Sequence, residues 1–65
     1  MDPAEKARGQ LEGLEQRLEK TRARLAQGRS SGEEEKIIVA LEATLVRLEQ
    51  QVSATRDQLT AMERS

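Results

Sequence analysis

Residues 28–38 read Gly28-Arg29-Ser30-Ser31-Gly32-Glu33-Glu34-Glu35-Lys36-Ile37-Ile38, and this stretch decides the fold. Two glycines bracket a cation and two hydroxyls, which is the composition of a turn rather than of a helix interior. Gly28 suits the position just past a helix C-terminus, and Arg24 and Arg29 set positive charge beside that helix's negative end. Ser30 has Glu33 three residues on and Ser31 has Glu34, both of them capping-box spacings for a new helix. Glu33, Glu34 and Glu35 would then lie in its first turn, where the dipole favours anions. The stretch therefore predicts a turn over 29–32 between a helix over about 3–28 and a second over about 33–64.

Working outward, both flanks carry the same periodicity. Toward the N-terminus, Ala4, Ala7, Leu11, Leu14, Leu18, Thr21 and Leu25 recur at alternating intervals of three and four, the a/d stripe of a coiled coil. Asp2 followed by Pro3 is a start signal, a capping side chain before a residue suited to the first helical position. Toward the C-terminus, Ile38, Leu41, Leu45, Leu48, Val52, Thr55, Leu59 and Met62 form a second stripe of the same spacing. The stripes are out of phase: the first would continue at 32, 35 and 39, whereas the second starts at 38. One unbroken coiled-coil helix is thereby disfavoured. The expected fold class is all-α, an antiparallel helical hairpin (a two-helix coiled coil) forming a single domain over 1–65 and able to assemble into a helical bundle.

The register follows from the stripes. In an antiparallel pair, a faces d, so the numbers of paired residues add to a constant. Leu25 then meets Leu41, Thr21 meets Leu45, Leu18 meets Leu48, Leu14 meets Val52, Leu11 meets Thr55, Ala7 meets Leu59 and Ala4 meets Met62. Gly28 faces Ile38. The flanking charges are expected to agree only in part: Arg22 near Glu42 and Arg29 near Glu35 attract, while Glu15 near Glu49 and Arg8 near Arg56 repel. Two threonines in the seam and alanines at its open end make burial there thin.

Composition bounds the function. The chain has 65 residues, 11 of them basic and 12 acidic, with no His, Cys, Trp, Tyr or Phe. These absences leave no disulfide, no thiolate or imidazole metal ligand and no ring for stacking on bases. A net charge of -1 offers no overall field for a polyanion. The halves differ, 1–32 carrying +2 and 33–65 carrying -3, which favours folding back or pairing head to tail with a copy. The acidic start, Met1 to Glu5, does not read as a signal peptide. The most apolar stretch, Ile37 to Leu48, contains Glu42 and Arg47 and falls short of the ~20 residues that span a bilayer. A cytoplasmic protein without membrane contact is expected.

No catalytic or cofactor-binding constellation emerges. The consecutive Glu33, Glu34 and Glu35 splay around a helix and cannot converge on one metal, so neither metal nor cofactor is expected. Arg17, Lys20, Arg22, Arg24 and Arg29 form a locally basic run, but without aromatics or net positive charge nucleic acid is disfavoured as a partner. Ser53 and Asp57 have the Ser-x-x-x-Asp spacing of small helical-hairpin phosphatases acting on a sporulation response regulator, although those place the motif nearer the turn and surround it with residues absent here. The second helix is the informative element. Ile38, Leu41, Leu45 and Leu48 already supply the seam, and Val39, Ala43 and Val46 lie about 100–140° farther round. Ile37, Val39, Ala43 and Val46 are the candidate protein-binding residues, either for a partner or for self-association through this helix.

Leu14-Glu15, Leu18, Lys20 and Leu25, followed by Gly28 and Ala40-Leu41-Glu42, resemble the small hairpin co-chaperones of type III secretion needle subunits. That likeness covers about half of the chain. It implies a bacterial cytosolic hairpin that binds a larger helical-repeat chaperone, the two together keeping the needle subunit unpolymerised. Helix 2 is longer here, the turn is differently spaced, and the aromatic residue expected early in helix 2 is missing. From the residues and the resemblance together, the chain is expected to be a non-enzymatic protein-binding module, an adaptor or co-chaperone. An autonomous homo-oligomerising coiled coil is the alternative and a nucleic-acid-binding regulator the third.

Overall fold

The computed structural model describes residues 2–64. Helix α1 spans Pro3–Ser31 and helix α2 spans Glu35–Arg64, packed as an antiparallel hairpin of 48 × 15 × 13 Å. The long dimension is that of one helix of about 30 residues at about 1.5 Å per residue. Asp2 caps α1 as expected: its Oδ1 accepts the Ala4 N–H at 3.1 Å, and Pro3 occupies the first helical position.

The turn is shorter and later than the sequence suggests. Gly28 does not end α1, which continues through Arg29, Ser30 and Ser31 and closes on Gly32 in the left-handed conformation, φ 68° and ψ 38°. The Gly32 N–H donates to the Arg29 carbonyl at 3.3 Å and the Glu33 N–H to the Gly28 carbonyl at 3.0 Å, the paired bonds of a Schellman closure. Of the two glycines, only Gly32 is asked for a positive φ. Gly28 is needed for a different reason: a Cβ there would stand 3.0 Å from Ile38 Cδ1. It is a buried seam position against which the Ile38 side chain packs. Ser30 and Ser31, expected to cap α2, therefore spend themselves in the last turn of α1. Glu33 and Glu34 precede α2, whose first bonds run from the Ile37 and Ile38 N–H groups to the Glu34 carbonyl at 3.0 and 3.2 Å.

Glu33 ties the turn back to α1. Arg24 Nη1 and Nη2 meet Glu33 Oε1 and Oε2 at 2.7 and 2.9 Å, a fork-on-fork pair. The hydrogen bond from Arg24 holds the Glu33 carboxyl below its ordinary pKa and raises that of Arg24. A carboxyl with a depressed folded pKa contributes stability above its unfolded pKa and loses it as pH falls through the folded value. Glu33→Gln is thus expected to lower the melting temperature at pH 7, and the difference from the parent should vanish as pH drops below 4.5 and through the depressed folded value. Parallel thermal melts by circular dichroism would check this, and a constant difference across that range would contradict it.

At the turn end the seam follows the expected register, with Ile38 facing Gly28. Leu18, Leu48 and Val52 make the buried centre, with Leu11, Leu14 and Leu45 packed against it. Ala7 and Leu25 are also buried, Leu41 and Leu59 are partly so, and Ile38 lies over Gly28. At the open end Met62 remains exposed, opposite the small Ala4.

The flanking charges depart from expectation, and the departure is systematic. Arg22 pairs with Glu49 at 3.6 Å rather than with Glu42, and Arg29 with Glu42 at 2.7 Å rather than with Glu35. The two expected repulsions are replaced by Glu15–Arg56 at 2.7 Å and Arg8–Glu63 at 3.2 Å. Every partner lies one heptad farther along α2 than expected. With Leu11, Leu18 and Leu25 as a, all eight residues occupy e, one position beyond d. The pairs therefore join e to e along one side of the hairpin. A slip of α2 by a heptad in one direction opposes Glu15 to Glu49, and in the other Arg22 to Arg56. Each exposed pair contributes only about 0.2–1 kcal/mol, but the ladder opposes both slips.

Candidate functional site

The outer surface of α2 carries the candidate residues. The seam residues Ile38, Leu41, Leu45 and Leu48 turn toward α1, and the b and f positions turn outward as the 3.6-residue repeat requires. Val39 is 54% and Val46 52% exposed, and Ala43 between them is exposed as well. They line one outward strip, with Val39 and Val46 about 10.5 Å apart along the axis. Ile37, grouped with them from the sequence, is 38% exposed but separate: two residues before Val39, it leaves the helix about 200° away, on the opposite flank. The structure thus brings together three of the four candidates. The strip has no polar side chain of its own, and its seam-side neighbours Glu42 and Glu49 are held by Arg29 and Arg22. Such a strip can bury apolar area and do little else.

The remaining candidates are dispersed. The basic run is split, Arg22 and Arg29 entering the e-position ladder and Arg24 pairing with Glu33, which leaves Arg17 and Lys20 without a carboxylate. Ser53 and Asp57 are exposed beside Arg56, which is engaged by Glu15. Among the described residues no three Asp or Glu side chains are placed to hold a metal ion. Among them, too, no helix is long and apolar enough to cross a membrane.

Two shallow grooves run along the sides of the hairpin, and sequence reasoning missed how different they are. The groove beside the ladder is lined by five carboxylates, Glu12, Glu15, Glu19, Glu49 and Asp57, with Lys20, Arg22 and Arg56. The groove on the opposite flank has no carboxylate and a single charge, Arg17, among three glutamines, the small Gly9, Gly13 and Ala54, and the seam residues Leu14 and Thr55. The signal for this sorting lay in the heptad letters: all acidic residues of the two helices occupy b, e or f, and none occupies c or g. Searches against family models, curated proteins and solved structures return no match to this chain.

Proposed function

We propose that the chain is a non-catalytic protein-binding module, an adaptor or co-chaperone of the cytoplasm, that captures an apolar partner surface on the outer strip of α2. The observation carrying this reading is the exposure of Val39 and Val46 on a helix whose seam is already filled by Ile38, Leu41, Leu45 and Leu48. Single exposed valines are ordinary. A pair at i and i+7 with Ala43 between them, on the segment richest in β-branched residues, is a continuous apolar strip. Covering the exposed half of two Val side chains would contribute about 2–3 kcal/mol, a substantial share of the stability of so small a domain.

The test is Val39→Glu with Val46→Glu. Neither side chain lies in the seam, so helicity by circular dichroism should stay within a few per cent of the parent. Capture of a partner, or self-association measured by size-exclusion chromatography with light scattering, should fall at least tenfold. A dimer of the parent chain that the double variant dissociates would identify the occupant as a second copy and favour the homo-oligomer reading. A double variant that keeps both its oligomeric state and its partner affinity would make the strip idle.

A further inference from the structure

We propose that the acid-free groove, on the side of the hairpin away from the ladder, is a second docking surface, and that its occupant is a carboxylate-bearing amphipathic helix of another protein. Three observations meet there. The lining includes the small Gly9, Gly13 and Ala54 beside the seam residues Leu14 and Thr55, and a Cβ added at either glycine would meet nothing within 4 Å, so a helix backbone can approach closely. The walls supply uncharged hydrogen-bonding groups, Gln10, Gln51 and Gln58. The charge is of one sign and unneutralised: Arg17 in the groove, with Lys6 and Arg47 at neighbouring c positions, pairs with no carboxylate among the described residues.

The contrast with the ladder side makes this more than a solvated face. All four e-position arginines, Arg8, Arg22, Arg29 and Arg56, have a glutamate partner within the hairpin. Among the described residues Lys6, Arg17 and Arg47 have none, and Arg24, paired with Glu33, belongs to the turn. The charge of this face is complementary to an acidic partner laid along the groove.

Charge also opposes a symmetric dimer and a duplex at this face. A second copy presenting its acidic groove head to tail would show as self-association through Arg17 in light scattering and would overturn the proposal. A second copy docked through the same face in a symmetric dimer would set cations against cations, since such a pair uses one patch twice. A nucleic acid duplex would feel both sides of a rod 13–15 Å thick, including the five carboxylates of the other groove. A short helix seated in the groove sees the local field alone.

The probe is a synthetic amphipathic helix of about three heptads, with a Leu and Ala stripe flanked by Glu. It is titrated into the full-length, isotope-labelled chain and followed by amide chemical shifts. Saturable shifts are expected at Gly9, Gly13, Arg17, Ala54 and Gln58. Arg17→Glu should weaken binding at least tenfold. So should Gly13→Gln, which fills the groove where nothing is within 4 Å and so should keep the parent's helicity. Val39→Glu with Val46→Glu should leave this binding unchanged, which separates the groove from the α2 strip. The proposal is overturned if the peptide gives no saturable shifts, or if its shifts map to Val39 and Val46. It is equally overturned if a Lys-flanked peptide or a 20-base-pair duplex binds as tightly, or if Arg17→Glu has no effect.

Discussion

Leu48→Ala is expected to remove about half or more of the chain's stability at 25 °C. Leu48 is 8% exposed at the centre of the buried cluster with Leu18 and Val52. Truncating such a leucine costs about 2–5 kcal/mol, the lost transfer energy plus the cavity left behind. A two-helix hairpin can partly collapse onto the gap, so about 2–3 kcal/mol is the fitting part of that range. Domains of this size rarely have more than about 3–5 kcal/mol in total. The control lies two residues away: Val46, 52% exposed, should tolerate Ala within about 0.5 kcal/mol in the monomer. Thermal and urea melts followed by circular dichroism would compare the two. Similar midpoints for both variants would mean that Leu48 is not in a consolidated core.

The effect of opposite sign is expected at two other positions. Gly9 and Gly13 lie inside α1, and a Cβ at either meets nothing within 4 Å. Alanine there adds no clash and removes conformational freedom from the unfolded chain, worth about 0.5–1 kcal/mol each. Gly9→Ala with Gly13→Ala should raise stability by about 1–2 kcal/mol, or roughly 4–16 °C in melting temperature for a domain of this length. Gly28→Ala should not share the gain, because its Cβ would stand 3.0 Å from Ile38 Cδ1 and the side chain must give way. Calorimetric melts of the three substitutions would separate propensity from packing. If Gly28→Ala stabilised as much as either of the others, the close packing of Ile38 on that glycine would be wrong.

Three of the four glycines thus stand in a helix, and the chain has one reversal. That inventory explains why the turn was the part least legible beforehand. Gly28 and Gly32 both look like helix ends in a string of letters. What separates them is that Gly28 falls at a seam position opposite Ile38, while Gly32 is the one glycine with positive φ. The serines follow from the same fact: once α1 runs to Ser31, neither can cap α2.

The sequence by itself determined that two helices pair antiparallel, which residues fill the seam, and that Gly28 faces Ile38. It could do so because apolar burial repeats with the helical period, and of the registers one heptad apart that oppose two such stripes the short connection between the helices admits one. The strip of Val39, Ala43 and Val46 was legible for the same reason, as apolar residues in excess of what one seam can use. Only the tertiary structure decided where α1 ends and which e-position charges meet. Those properties belong to the space between the helices. They depend on how far each side chain is displaced from the axis and along it, and spacing within one chain does not encode that displacement until its neighbour is in place.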